Sequence, residues 1–369
     1  MKKRVSLIGT NGIPSKYGGF ETLAEYLARN LNNDFEITVY CAKTERSKRR
    51  KSFLNSKLIY LPFKANGWQS MVYDAISIVH AFVSSNVLVI LGFSGVFAFP
   101  LKIFFPKKKI IFNIGGIEWK KVRGNKKLGF IEVIAKKIFE KICVYFSDIV
   151  VTDNRILWKY VYQEYKIESE LIEYGGDHAV KTPLTAVIVK LYPFLTKEYD
   201  ISISRAQEDM NIHMLIEAYT KIPHRNVVIV SNWSISKYGL ELLRDNKGKY
   251  PNIFLLDAIY DLKVLNAIRS NAQIYYHTHS LCGTAPSLTE AMSLGLPVIC
   301  FDVETNRAST EEKSYYFKDS NSLLCLLTEI TKDKLEGLSQ NMLEIALRRY
   351  RWERITKLYK DVINKLSYK

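Results

Sequence analysis

Residues 4–31, RVSLI-GTNGIPSKYGG-FETLAEYLARNL, decide the fold. Arg4–Ile8 is a short apolar run suited to a buried strand, and Gly9–Gly19 is a glycine-containing loop. Phe20, Leu23, Ala24, Leu27 and Leu31 then recur at i, i+3, i+4 spacing, the mark of one helix face. The basic start Met1-Lys2-Lys3-Arg4 precedes too little apolar sequence for a signal-peptide core and reads as the approach to a first strand.

Outward from this unit the alternation repeats. Strands are expected at Glu36–Tyr40, Lys57–Leu61, Asn86–Leu91, Lys109–Asn113 and Asp148–Thr152, with helices between most of them. The pattern pauses over 178–198, a stretch with Pro183, Pro193 and no helical stripe. It restarts with strands at Asp200–Ser204, Val227–Val230, Ile253–Asp257, Gln273–His277 and Pro297–Asp302. Repeated βα alternation argues for parallel sheets covered by helices on both faces, here two successive α/β domains. In such sheets ligands bind beyond the carboxyl ends of the strands, so the loops after the strands are where chemistry is expected.

The chain has 369 residues with 47% hydrophobic and 24% charged side chains, an ordinary globular balance with room for two cores. Its 53 Lys plus Arg against 37 Asp plus Glu give a net charge of +16, unevenly spread. Residues 1–180 carry +12 and residues 181–369 carry +4, which points to an anionic surface or polymer met by the N-terminal half. Five scattered cysteines without a C-x-x-C pair favour a reducing compartment over a disulfide framework or structural zinc. Val87–Phe105 is apolar enough to raise a transmembrane helix. Gly92, Ser94, Gly95 and Pro100 break it into a strand, a loop and an apolar helix.

Several motifs are absent. There is no G-x-x-x-x-G-K-[ST], no G-x-G-x-x-G after the first strand and no D-x-D. His277 and His279 alternate onto one strand face near Cys282, but without a further ligand set no metal is expected. Gly18-Gly19, just before a helix, lets backbone N–H groups approach an anion, although a flexible turn explains the spacing equally well. The most informative stretch is HTHSLCGTAPSLTEAMSLGLPV, residues 277–298. A strand ends, a Gly-Thr-Ala turn follows, and Pro286 stands where a helix can begin because its missing N–H costs nothing there. N–H groups of 284–289 suit a phosphate, and Glu290 suits sugar hydroxyls or, equally, the helix dipole.

With these motifs in place, the chain resembles the GT-B fold glycosyltransferases of the large retaining class (family 4 type). More narrowly it resembles the bacterial polysaccharide rhamnosyltransferase branch, whose N-terminal domain is DUF1972-like. The resemblance rests on residues 9–22 and 113–120, Tyr174–Asp177, Arg205 with 206–219, the Pro251-Asn-Ile and Ile259-Tyr-Asp segments, 283–292, and Phe301-Asp-Val with Asn306-Arg. It implies two Rossmann-like domains facing a central cleft: an acceptor-side domain at 1–178 and a nucleotide-sugar domain at 179–351, with a C-terminal helix of about 352–369 packing back on the first.

The resemblance also implies roles. Arg205 pairs with the donor diphosphate, a task suited to a planar guanidinium. Glu290 holds the ribose, the Asp257–Tyr260 turn with Ile259 and Tyr260 reads the base, and Gly18, Gly19, Asn211, Gly283, Thr284, Pro286 and Ser287 complete the donor site. Tyr17, Glu21, Gly116, Glu118 and Trp119 fall on the acceptor side, with Glu118 and Arg205 as the catalytic candidates. The implied partners are a dTDP- or UDP-linked sugar and an undecaprenyl-diphosphate-linked acceptor, with neither metal nor cofactor. Transfer of L-rhamnose in capsule, cell-wall or exopolysaccharide synthesis follows, on the cytoplasmic face of a bacterial membrane.

The chain departs from the pattern in four ways: Cys282 for the class's first glutamate, Met210 and Asn211 where a lysine is common, Gly115 for aspartate and Ala285 for asparagine. The Lys102–Lys141 region holds twelve basic and three acidic residues and suits docking on an anionic membrane. The Ile131, Ile134, Ala135, Ile138 and Ile142 stripe within it is expected in the core. The competing readings are a GT-B enzyme with a UDP-hexose or UDP-N-acetylhexosamine donor, an epimerase on the same fold, and a basic nucleic-acid-binding protein. No helix-turn-helix, zinc-finger or RNP-like segment supports the last.

Overall fold

The computed structural model describes residues 2–15, 18–65, 67, 69–93, 96–117 and 129–366. They form two compact units. One comprises the chain up to Ile117, Gly129–Glu173 and the stretch from Trp352; the other is Tyr174–Arg351.

The first unit is an eight-stranded sheet of β1 (Lys3–Ile8), β2 (Phe35–Cys41), β3 (Ser52–Phe53), β4 (Ser56–Tyr60), β5 (Val87–Leu91), β6 (Lys109–Ile114), β7 (Ile149–Thr152) and β8 (Glu170–Leu171). Its order is β3-β4-β2-β1-β5-β6-β7-β8, parallel except for the β3–β4 hairpin. The chain runs outward from β1 in both directions, so β1 and β5 flank a topological switch point. At that point Gly9 has φ +94°, and a Cβ there would lie 2.1 Å from the Leu91 carbonyl oxygen. Only glycine lets the loop after β1 pass this close to the end of β5. The helix Gly19–Leu31 buries Leu23, Ala24, Leu27 and Leu31. Tyr26 of the same helix stacks on Trp352 of the C-terminal helix Trp352–Lys365, with ring centroids 4.2 Å apart.

The second unit is a six-stranded, wholly parallel sheet of β9 (Tyr199–Ile203), β10 (Asn226–Ser231), β11 (Ile253–Asp257), β12 (Tyr275–His277), β13 (Val298–Phe301) and β14 (Tyr315–Phe317). The order is β11-β10-β9-β12-β13-β14, with its switch point between β9 and β12. Strand periodicity sorts the side chains into two cores. Val228 and Val230 join Ile201, Tyr275 and Leu288 on one face, and Val227 and Ile229 join Ile212, Trp233 and Tyr276 on the other.

Two expectations are corrected. The stretch around 178–198 contains a helix, Ala186–Leu191, capped by Thr185, whose Ile188 packs into the second unit's core. It is too short for a stripe to show. Most of the isoleucine stripe of the helix Phe130–Phe146 is not core: Ile131 is 83% exposed and Ile138 50%, while Ile142 at its end packs against the core. That helix instead buries Glu140, Cys143 and Val144, with Glu140 accepting hydrogen bonds from Tyr160 and, at 2.7 Å, Tyr165. The buried tyrosine partners set the helix's rotation, and its most apolar stripe faces outward. Among the described residues no helix is long and apolar enough to cross a membrane.

Replacing Gly9 by alanine is expected to cost at least about 2 kcal/mol through backbone strain and overpacking against β5. Denaturant unfolding of the full chain measures this.

Candidate functional site

In the second unit the loops leaving β9 and β12 are sewn together. Residues 204–211 turn back through a short 3-10 turn, Glu208–Met210, and Asn211 takes a left-handed conformation (φ 49°) at the start of the next helix. Its side-chain amide donates to the Thr278 carbonyl at 3.0 Å, the Ser280 N–H donates to the Asp209 carbonyl at 2.8 Å, and the Thr278 hydroxyl donates to the Met210 carbonyl. Arg205 is exposed at the mouth of this seam, near enough to His279 for its charge to weaken that imidazole's basicity.

The β12 loop runs through Gly283 and Thr284, both buried, into the helix Pro286–Ser293. Pro286 occupies its first turn and brings no N–H, the Leu288 N–H donates to the Ala285 carbonyl at 3.1 Å, and Ala285 at the N-cap offers no side-chain acceptor, which leaves the Ser287 N–H and the helix dipole to face an anion. Ser287 hydrogen-bonds to Tyr275, whose hydroxyl donates to the Ile203 carbonyl at 3.2 Å. The helix is thus tied back to the end of β9.

Glu290 is held more firmly than an ordinary first-turn acid. One carboxylate oxygen is 2.9 Å from His178 Nε2, and the other is paired with Arg269, itself only 1% exposed. Arg269 also donates to Asn266 at 2.8 Å. Burial raises the Glu290 pKa, but the Arg269 charge and the His178 hydrogen bond outweigh it and hold the group at about 2. Carboxylate oxygens have further lone pairs, so Glu290 retains capacity for sugar hydroxyls. His178 and Arg269 were not foreseen. Arg269's only sequence mark is a cation on the helix Leu262–Ser270, beside the buried Ala267 and Ile268. Ile259, packed against the core, and Tyr260, 58% exposed, follow the outermost strand β11, two strands away from β9.

In the first unit the loop after β1 is braced from behind. Glu21 is buried and accepts from the Asn11 backbone N–H at 2.9 Å and from its side-chain amide at 2.7 Å. The Tyr73 hydroxyl donates to the Thr10 carbonyl at 2.9 Å. Gly18 has φ +113°, and a Cβ there would meet the Glu21 carboxylate; Gly19 begins the helix. Glu21 thus positions the loop. Gly116 is buried beyond β6 with φ +148°. At Gly115 a Cβ would approach the Phe20 ring to 2.5 Å, so Phe20 takes the space an aspartate there would need. Asn113 donates to the Tyr359 hydroxyl at 2.6 Å. Tyr17, Glu118 and Trp119 lie outside the described residues. The structure therefore joins Arg205, Asn211, Gly283, Thr284, Pro286, Ser287 and Glu290 in one unit, and Gly18, Gly19, Glu21 and Gly116 around another loop cluster.

Residues 2–177 match the family model described as a domain of unknown function, DUF1972, and residues 189–343 match glycosyl transferases group 1. No curated protein sequence matches the chain significantly. Among solved structures, the fold is similar to sucrose-phosphate synthase from Thermosynechococcus elongatus, with TM-score 0.83, 17% identity and all of both chains covered. It is also similar to Anabaena HepE in complex with UDP, with TM-score 0.75, 14% identity, 98% of this chain and 100% of that one. A putative UDP-N-acetylglucosamine 2-epimerase from Listeria monocytogenes gives TM-score 0.61, 14% identity, 94% of this chain and 95% of that one. At these identities the likeness shows the fold.

Because the Glu290 pKa is depressed, its contribution to stability is full above the unfolded value of about 4.3 and is lost as pH falls toward 2. Arg269→Ala leaves Glu290 without its strongest partner and should cost about 3 kcal/mol at neutral pH. That deficit should shrink below pH ~4 as the carboxylate protonates; chemical denaturation of both proteins across pH measures it.

Proposed function

We propose that this protein, a glycosyltransferase of GT-B architecture, moves L-rhamnose from dTDP-L-rhamnose onto an undecaprenyl-diphosphate-linked saccharide. The reaction serves capsule, cell-wall or exopolysaccharide synthesis and proceeds with retention at the anomeric carbon. The observation supporting a nucleotide-sugar site is the seam between the β9 and β12 loops. It gathers Arg205, the uncapped first turn of Pro286–Ser293 and Glu290 within the half that matches group 1 glycosyl transferases.

Cleaving a sugar–diphosphate bond requires stabilising the charge that develops on the departing diphosphate. The Arg205 guanidinium and the N-terminal end of the helix Pro286–Ser293 supply that in place, so the step needs no metal. The departing phosphate oxygen takes the acceptor's proton on the face from which the acceptor attacks, and no protein side chain becomes covalently linked. Glu118 positions the acceptor hydroxyl. The rhamnose assignment comes from the resemblance over residues 9–22 and 283–292. A UDP-linked hexose or N-acetylhexosamine is the second reading, favoured by the neighbour whose structure holds UDP.

The acceptor implies a membrane, and the first unit offers a surface for one. Met71, Val79 and Val83 on the helix Gln69–Ser84, Phe104, and Ile131 and Ile138 on the helix Phe130–Phe146 are exposed apolar side chains. Lys107, Lys137 and Lys141 are exposed beside them. Part of the anticipated basic patch is spent internally: Lys102 and Lys109 both pair with Asp148, and Lys108 donates to the Ser85 carbonyl. Docking on the anionic inner face of the cell membrane is therefore shared between apolar insertion and a modest electrostatic attraction.

A panel of dTDP- and UDP-sugars with a lipid-diphosphate acceptor, read by mass spectrometry, tests the assignment; a product from dTDP-L-rhamnose supports it, and a product from a UDP-sugar alone replaces the donor. Arg205→Ala should lower kcat about 100-fold, and an unchanged rate would remove Arg205 from the site. In liposome flotation the protein should float with anionic vesicles and be only partly released by salt. Changing Phe104 and Ile131 together to serine should lower partitioning more than tenfold, each apolar side chain contributing about 1.5–3 kcal/mol when buried. Absence of flotation on anionic vesicles would contradict the membrane role.

A further inference from the structure

We infer that His277, His279 and Cys282 form a binding site for a thiophilic divalent cation, with Zn2+ the fitting species. One ring nitrogen of each histidine and the Cys282 sulfur all lie within 4.8 Å of one another. The Cys282 Sγ is 3.8 Å from His277 Nε2. A tetrahedral zinc with Zn–S of about 2.3 Å and Zn–N of about 2.0–2.1 Å sets its sulfur and nitrogen ligands about 3.5 Å apart, so the pair needs only a small closure.

Two further observations point to a ligand. His279 Nε2 is buried with no hydrogen-bond partner, although buried ring nitrogens are ordinarily satisfied. The two rings lie 4.1 Å apart at their centroids. Neutral imidazole is the form that ligates a metal. Asn306, fully buried, holds the frame by donating to the His279 and Phe301 carbonyls at 2.9 and 2.8 Å and accepting from the Cys282 thiol at 3.7 Å. Such outer partners orient metal ligands.

Two imidazoles and a thiolate suit Zn2+ better than the oxygen-seeking Mg2+ or Ca2+, and three protein ligands leave a fourth position open. Arg205 faces His279, and the thiolate offsets part of the repulsion between that cation and the ion. The ion would lie beside Arg205 but has no part in the proposed transfer step, and the site stands or falls without that proposal.

The test is calorimetric titration of the reduced full-length chain with Zn2+, paired with Co2+ titration followed by thiolate-to-cobalt charge-transfer absorption. One equivalent should bind, with the absorption band present. Cys282→Ser should abolish the band and weaken Zn2+ binding at least about tenfold, and His279→Gln should weaken it similarly. Cys325→Ser, at an exposed cysteine elsewhere, should leave both unchanged. Thermal melts without metal establish that each variant is folded. Absence of binding by the wild-type chain, or equal binding by folded Cys282→Ser, overturns the site.

Discussion

The second unit depends on the hydrogen-bonded seam that closes its sheet's switch point. A parallel sheet diverges at such a point and leaves two loops to find their own positions. Here Asn211 donates to the Thr278 carbonyl and Ser280 to the Asp209 carbonyl, so the loop carrying Arg205 and the loop feeding the helix Pro286–Ser293 move as one piece. Arg205 and the start of that helix thus stand on loops tied to each other, which on the proposed reading would spare a diphosphate part of the cost of ordering them. The left-handed Asn211 is the point on which this turns, since its short polar side chain tolerates that conformation and reaches the neighbouring loop.

The two units manage their switch points differently. In the first, the approach is steric: Gly9 lies against the Leu91 carbonyl, and Glu21 turns back to satisfy Asn11. Glu21 and Glu290 illustrate how an acid that the resemblance assigns to ligand contact also serves the fold. Glu21 is committed to its own loop, whereas Glu290, braced by Arg269 and His178, keeps its charge far below neutral pH and stays a hydrogen-bond acceptor under all physiological conditions.

Much of this was legible from the chain alone. Each strand expected from the apolar runs forms within a few residues, because a buried parallel strand writes itself as a short continuous apolar run. What escaped were features set at a distance. The hairpin strand Ser52–Phe53, the two-residue β8 and the edge strand Tyr315–Phe317 are too short or too mixed to signal themselves. The Arg269–Glu290 pair joins residues 21 apart and the Phe20–Gly115 contact joins segments far apart in the sequence, so neither leaves a local pattern. The isoleucine stripe misled because periodicity reports that a face is apolar, not that protein covers it. The buried Glu140 with its two tyrosines decides that rotation. The uneven charge of +12 against +4 keeps its meaning as an N-terminal bias, but Asp148 absorbs some of the lysines that seemed free.

The central claim is that the seam in the second unit is a nucleotide-sugar site, and titration calorimetry with dTDP and UDP, with duplex DNA as counter-ligand, tests it most directly. The wild-type chain should bind one or both nucleotides saturably, and Arg205→Ala should bind them far more weakly. Absence of nucleotide binding, or tight binding of DNA in its place, would contradict it.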